Sequence, residues 1–323
     1  MSLKRYAAAF LVTFIGLCGI RTLYTHSLTL ACWADGYSKN GWMAYCNSDR
    51  YGVYDVDAVW FDAEVDISPA IAKAKILTLS DSHLQNALSL GGASQWFADN
   101  DYPAYMLGLP TAESGFGEQL IEKFKPKPAV VILDASPYFT GNLGRFEAGL
   151  FGADSQERAK QVLDLKSFQA THQSFCSSVS WMCGLNFAYF RSRQDGHWIF
   201  PADAKRVLVG RNSVPSDTTR FATAARPDEL KPLYGQYLEN ARRLVEKLQL
   251  PGRCIVITHV PALEDSGLAP YLAGQLGLTL IEPKLPNITT FDQAHLTPES
   301  SVRWTVAFLE QLTPVVKDCI AAA

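Results

Sequence analysis

The sequence predicts an α/β fold, a three-layer α/β/α sandwich around a mainly parallel sheet of about five strands, preceded by an N-terminal membrane anchor. Three observations carry this. From residue 75 onward short apolar runs alternate with longer amphipathic stretches, the pattern of parallel strands joined by helices. The stretch 229–248 repeats apolar residues on one helical face, as a helix covering a sheet does. The first residues place Lys4 and Arg5 ahead of an almost unbroken apolar run from 6 to 20, the layout of a targeting segment. At 323 residues, with 48% hydrophobic and 19% charged, the chain has apolar content for one large domain or two small ones.

The strands fall at 75–79, 104–109, 129–133, 254–258 and 278–282, each a short apolar run closed by turn residues. Helices are expected over 117–124, 229–248, 271–276 and 298–312. In the second of these, Leu230, Leu233, Tyr234, Tyr237, Leu238, Ala241, Leu244, Val245 and Leu248 form the apolar face. Its charged remainder, including Glu239, Arg242, Arg243 and Lys247, is a solvated face. About ninety residues separate the third strand from this helix, far beyond the usual 2 to 6 of such a connection, so an insertion sits at about 137–226. Its aromatic residues, among them Phe168, Trp181, Phe190 and Trp198, predict a small apolar core capping one end of the sheet, either as a lid or as a structural excursion. The organisation expected is an anchor over 1–24, an irregular collar over 25–72, and a catalytic domain over 73–323.

Arg21 closes the N-terminal apolar run, which is short for a span of about 20 residues, and Leu23 and Tyr24 could extend it. No small-residue cleavage site follows it closely, which favours an uncleaved anchor with its basic end in the cytoplasm and the body outside. Cysteine placement agrees with export: Cys32 with Cys46, and Cys176 with Cys183, bracket short segments that two local disulfides would close. Cys254 and Cys319 are expected as buried free thiols. A formal charge of -3 leaves no basic surplus for a phosphate backbone, so nucleic acid is not an expected partner.

Two segments carry groups able to do chemistry. Leu77-Thr78-Leu79-Ser80-Asp81-Ser82-His83 is an apolar strand entering a polar turn, and catalytic groups in open α/β sheets gather at such carboxyl ends. A serine there is most often a turn residue or helix cap, and acts as a nucleophile only if a positioned base takes its proton. Asp292-Gln293-Ala294-His295 offers that base. An Asp three residues ahead of a His in a tight turn can accept from Nδ1 and leave Nε2 free. Asp292 could equally satisfy local turn amides. Thr297 is expected to cap a final helix whose first residue is Pro298.

Together these segments resemble the SGNH hydrolase superfamily, including the GDSL esterases and the periplasmic SGNH domains associated with membrane O-acyltransferases. That family's early Gly-Asp-Ser corresponds to Ser80-Asp81-Ser82, with Ser in place of the first Gly, and its late Asp-x-x-His corresponds to Asp292 and His295. His83 matches a Gly-Asp-Ser-His variant. The resemblance covers about 75–312 without the insertion. It implies a flavodoxin-like SGNH fold, a Ser82–His295–Asp292 triad, and an oxyanion hole from the N–H groups of Ser82 and Gly108. The family's third-strand Asn is absent from Val131-Ile132-Leu133-Asp134-Ala135-Ser136, leaving Ser136 or Asn142 as substitutes.

The resemblance further implies a serine esterase or O-acyltransferase that needs no cofactor or metal. Its substrate would be an acylated carbohydrate or other ester, such as O-acetyl groups of a polysaccharide or cell-envelope glycan. Its partner could be a membrane O-acyltransferase, and its location the bacterial inner membrane, single-pass, with the catalytic domain in the periplasm or outside the cell. Two other readings stay open. Asp81-Ser82-His83 and Thr258-His259 are also similar to metallophosphoesterase motifs, which would make Asp81, His83 and His259 metal ligands, although the bridging motifs of that family are missing. The absent Asn also suits a non-catalytic glycan-binding or assembly protein on the same scaffold. His26, His172 and His197 are expected to be surface or packing residues.

Overall fold

The computed structural model describes residues 6, 9–17, 42–46, 55–62, 66–109, 113–135, 137–139, 150–151, 155–157, 159–160, 188–199, 214–216, 233–261, 267–292 and 294–323. Its centre is a five-stranded sheet built from β2 (Ile76–Ser80), β3 (Ala104–Gly108), β4 (Val130–Asp134), β8 (Ile255–Thr258) and β9 (Thr279–Leu280), in the order β3-β2-β4-β8-β9. Every neighbouring pair is parallel. The expected strands correspond to these five within one or two residues, except that the last is only two residues long.

Side chains alternate across the strands, so each face of the sheet builds its own core. Leu77, Leu79, Tyr105, Leu107, Val131, Leu133, Ile255 and Ile257 turn to one face. There they meet α2 (Ile67–Lys73), α5 (Ser114–Phe124), α6 (Tyr234–Leu248) and α7 (Leu268–Leu276). Ile76, Met106, Val130, Ile132 and Val256 turn to the other face, against α3 (Ser82–Leu90), α4 (Ala93–Asp99) and α8 (Pro298–Ala322). The strands are buried on both sides, which is why they read as continuous apolar runs rather than alternating ones. The arrangement is α/β with a parallel sheet flanked by helices, compatible with the three-layer sandwich that the sequence predicts.

Several expectations are corrected. The collar is not wholly irregular: it contains β1 (Trp42–Cys46), α1 (Asp55–Trp60) and α2, and buries Val59, Ile67 and Ile71 completely. Elements of six and seven residues hold too few turns for periodicity to register. The insertion contains β5 (Ala188–Ser192), β6 (Trp198–Ile199) and β7 (Val214–Ser216). Its β5–β6 hairpin does not cap an end of the sheet but runs along the free edge of β3. The Met106 N–H donates to Asp195 O at 2.7 Å, and the fully buried Arg191 donates to the carbonyls of Met106 and Gly108. An exposed edge strand needs such cover. β5 also pairs antiparallel with β1, and β7 with β10 (Ile288–Thr290).

The last helix continues past 312, through Pro314, to Ala322. A proline inside a helix costs about 3 kcal/mol. Beyond it, however, Val316 and Cys319 are buried in the core, and Cys319 is joined to Cys254 by a disulfide with Cα atoms 5.8 Å apart. These cysteines are therefore cross-linked, not free, because the tertiary fold brings together two thiols 65 residues apart. The expected Cys32–Cys46 and Cys176–Cys183 bridges involve Cys32, Cys176 and Cys183, which lie outside the described residues. In the N-terminal run, residues 9–17 are helical and expose Phe10, Leu11, Val12, Phe14 and Ile15. Among the described residues no helix is long and apolar enough to cross a membrane, so the expected anchor gains no support from a spanning helix.

The Cys254–Cys319 link closes a loop of 65 residues, and a loop of that length stabilises by about 4 kcal/mol in the chain-entropy account. Cys319→Ser is expected to lower the unfolding free energy by about that amount. Urea denaturation of the oxidised protein checks it, and peptide mapping without reductant should recover the two cysteines as one cross-linked species.

Candidate functional site

The sheet's sequential order, second-first-third-fourth-fifth, places a topological switch beside the first strand, where ligand crevices form outside the carboxyl ends. β2 ends there and turns directly into α3. Asp81 caps that helix, its carboxylate accepting from the His83 N–H at 2.8 Å, and Ser82 is the first helical residue. The turn expected here is the first turn of a helix, whose apolar residues Leu84, Ala87 and Leu88 cover too few turns for a helical period to show in the sequence. At its first position the Ser82 N–H has no intrahelical acceptor, as for the first residues of any helix.

Asp292 and His295 approach from the opposite side of the sequence. After β10, the Phe291 N–H donates to His295 O at 3.0 Å and the Thr297 N–H to Thr289 O at 2.9 Å, closing a tight loop. Thr297 caps α8, accepting from the Ser300 N–H, with Pro298 as first residue, as expected. Asp292 does both things considered for it. Its Oδ1 accepts from the N–H groups of Ala294 and His295 at 3.1 and 2.8 Å, and its Oδ2 lies 2.7 Å from His295 Nδ1. Burial by itself would raise the Asp292 pKa, but the bond and charge of His295 and these two amides hold the carboxyl down to about 2. The carboxylate therefore stays ionised through neutral pH.

The structure brings the three residues together. His295 Nε2 lies 2.9 Å from Ser82 Oγ, across 213 residues of sequence, while Nδ1 faces Asp292. The imidazole is clamped between two rings: Phe291 at 5.6 Å and 15°, and His83 at 5.0 Å and 17°. With Nδ1–H donating a hydrogen bond to Asp292 Oδ2, Nε2 is an acceptor for the serine proton. That is the arrangement required of an orienter, a base and a nucleophile.

Gly108 stands apart from this. It ends β3, and its N–H donates to Gln85 Oε1 at 2.8 Å, so the amide is committed to a side chain. A Cβ at Gly108 would also collide with Gln85 and Ser80. Close approach, rather than an open turn, is what requires glycine here. Gln85 Nε2 donates in turn to Gly196 O at 3.0 Å and Ser89 Oγ at 3.1 Å, tying the helix of Ser82 to the inserted hairpin. Ser136 and Asn142 lie outside the described residues.

His83 is the residue to which the sequence reading gave no role in the triad. Its Nδ1 lies 3.0 Å from each oxygen of Asp81. Burial would depress its pKa, but the charge and hydrogen bond of Asp81, with further attraction from Asp134 and Asp292, outweigh that and raise it to about 9. Asp81, His83 and Asp134 each bring one ligand atom within 4.8 Å of the others, close enough to hold a cation. His259, buried at the end of β8, does not belong to this group. His197 has a partner in Asp195, its Nδ1 2.6 Å from Oδ1, on the hairpin turn. A cavity of about 880 Å³ lies there, between α2, α4 and that turn, and none of the triad residues lines it. His26 and His172 lie outside the described residues.

Comparison with family models, with curated proteins and with solved structures finds no match for this chain.

Replacing Gln85 with Leu keeps the side-chain bulk but leaves the buried Gly108 N–H without its acceptor. The expected loss is about 1 to 3 kcal/mol of stability, read from urea denaturation, together with faster hydrogen exchange at the Gly108 amide.

Proposed function

We propose that this chain is an SGNH-type serine esterase or O-acyltransferase in which Ser82 is the nucleophile, His295 the general base and Asp292 the orienting carboxylate. The observation that carries the reading is the continuous Ser82 Oγ–His295 Nε2–His295 Nδ1–Asp292 Oδ2 relay, with contacts of 2.9 and 2.7 Å. The flavodoxin-like strand order and the position of Ser82 at the end of the first sheet strand support it. In the first step Ser82 Oγ bonds to the ester carbonyl carbon as its proton passes to His295 Nε2. The collapsing intermediate then expels the alcohol, which takes that proton, and leaves an acyl-Ser82. Water or an acceptor hydroxyl repeats the sequence in reverse and frees the serine. The Ser82 N–H at the helix start is one oxyanion donor. Gly108 would be a second only if Gln85 released its amide.

The substrate class proposed is an acylated carbohydrate, with O-acetyl groups on a polysaccharide or envelope glycan as the type the resemblance implies. The proposed setting is the periplasmic or outer side of a bacterial inner membrane, beside a membrane O-acyltransferase. The basic-then-apolar N-terminus and the exposed apolar side chains of residues 9–17 support attachment there. The compact Asp81–His83–Asp134 group favours a second reading, a metal-dependent phosphoesterase, in which a cation there would activate water.

A fluorophosphonate probe or p-nitrophenyl acetate is expected to modify Ser82, located by peptide mass spectrometry. His295→Ala and Asp292→Asn should each slow the reaction strongly, about 10⁴-fold for the carboxylate, and the double variant should be scarcely worse than His295→Ala. Multiplicative losses would argue against one catalytic unit, and labelling of Ser80 or Ser136 would place the nucleophile elsewhere.

Phosphoester turnover abolished by prolonged chelation and restored by manganese or zinc would replace the serine mechanism by the metal reading. Glycan binding unchanged in Ser82→Ala, with no acyl-enzyme formed, would favour a non-catalytic role.

A further inference from the structure

We propose that the hollow between α2, α4 and the β5–β6 turn is a binding site for a neutral oligosaccharide, separate from the Ser82 site. Its volume of about 880 Å³ falls within the roughly 300–1,000 Å³ of small-ligand clefts. Ala104 lines it at the start of β3, whereas Gly108, in register with Ser80, closes that strand about 13 Å away. The hollow therefore lies toward the opposite end of the sheet from the triad. Its ligand class is read from its own lining, so the site goes beyond the serine mechanism and does not depend on it.

One wall of the hollow is fixed in advance. The Met106 N–H donates to Asp195 O at 2.7 Å, which pins the turn to β3, and Ser94 Oγ donates to the Asp195 carboxylate, which pins it to α4. Ser192 Oγ accepts from the N–H groups of Gln194 and Asp195 at 3.2 and 3.4 Å. A Cβ at Gly196 would collide with Met106 O, so the turn presses closely on the strand edge. A turn tied to both a strand and a helix holds its backbone in one arrangement, and such preorganisation lowers the cost of binding.

The lining selects the ligand. Asp66, Asp101 and Asp195 bring carboxylates, and Lys73 and Arg193 bring cations, so there is no basic surplus for a phosphate or sulfate. A metal ion is not favoured either. Among the described residues, the carboxylates here do not gather their ligand atoms within 4.8 Å of one another, as Asp81, His83 and Asp134 do. Also among the described residues, the side chains of Asp66, Lys73, Asp101 and Gln194 make no hydrogen bond or ion pair, although opposite charges line one hollow. Acceptor-only carboxylates, a donor-only ammonium and a carboxamide that does both are thus held around the same space. A sugar hydroxyl both donates and accepts, so a row of hydroxyls bridges groups too far apart to pair directly. Phe97 and Ala104, only 2% and 8% exposed, give an apolar floor for the C–H faces of the rings.

The test presents the full chain to an array of neutral oligosaccharides of hexoses and N-acetylhexosamines, with inorganic phosphate and calcium chloride titrated separately. The strongest array member is then followed by amide chemical shifts, expected to move at Lys73, Asp101 and Gln194. The double variant Lys73→Ala/Gln194→Ala, at two exposed positions, should weaken binding about tenfold through the loss of two hydrogen-bonding groups. Ala98→Trp, on the exposed side of α4, fills the hollow while leaving every polar group in place, and should abolish binding. It keeps the test open should the double variant not fold. Neither variant should change p-nitrophenyl acetate turnover. No binding by any neutral member, binding that a folded variant leaves unmoved, or stronger binding of phosphate or calcium overturns the proposal. If a glycan binds here while a fluorophosphonate fails to label Ser82, the failure belongs to the serine mechanism. If Ser82 labels and no glycan binds, the failure belongs to this site alone.

Discussion

The packing of α3 on α8 fixes the site. Ser82 opens one of these helices and His295 stands three residues before the other, so the distance between Ser82 and His295 is set by how closely and at what offset the helices lie. Thr305 Oγ1 donates to the Ala87 carbonyl at 2.9 Å across the contact, and Gly91 leaves the notch that admits it, since a Cβ there would collide with Thr305. Leu84, Ala87 and Leu88 on one helix and Trp304, Phe308 and Leu312 on the other complete a dry interface under the sheet. Interiors of this density transmit small displacements rather than absorb them. A hydrogen bond of 2.9 Å between Ser82 and His295 depends on that rigidity more than on any local preference of either segment.

A second constraint comes from the edge of the sheet. β3 has sheet neighbours on one side only, and its outer carbonyls are met by Arg191, buried without solvent contact and lying over the Trp198 ring at 5.4 Å. Three carbonyl oxygens, those of Met106, Gly108 and Gly196, receive this guanidinium. Gln85 then joins the same hairpin to the helix carrying Ser82. The inserted hairpin is thus attached to the helix carrying Ser82 through the Gln85 carboxamide and through the Ser89 hydroxyl, which accepts from the Trp198 N–H at 2.8 Å. Edge protection and the loss of a free Gly108 amide are two consequences of the same network.

The charges at the site follow from a pairing of like motifs. Asp81 with His83, and Asp292 with His295, are both Asp–His pairs joined through Nδ1, yet their surroundings differ. His83 faces three carboxylates in a nearly enclosed setting, whereas His295 pairs with one carboxylate, Asp292, and lies closer to solvent. The two imidazoles stack at 5.0 Å, and the carboxylates around His83 outweigh its burial and hold its pKa up to about 9.

Four of the five strands were readable because parallel strands buried on both faces must be apolar along their whole length, and α6 and α8 because long amphipathic helices repeat their pattern often enough. Asp292 and His295 were readable as a pair because three residues of tight turn suffice to bring a carboxylate to Nδ1. Local pattern could not decide the rest. α1, α2 and α4 are too short for a period to emerge; Cys254 and Cys319 become partners only when β8 and the end of α8 meet; and Pro314 stays helical because core contacts outweigh a lost hydrogen bond. The Gly108 amide, which the resemblance implies as an oxyanion donor, is taken by Gln85, and nothing nearby in sequence announces that partner 23 residues away. The sequence by itself determined the alternation of strand and helix, the local turn geometries and the chemical types available at the strand ends, since these depend on neighbouring residues and hydrophobic period. That Ser82 meets His295, that Gln85 claims the Gly108 amide and that His83 stacks on the His295 ring was settled at the tertiary level, because each is a contact between residues far apart in the chain whose distance is set by helix packing.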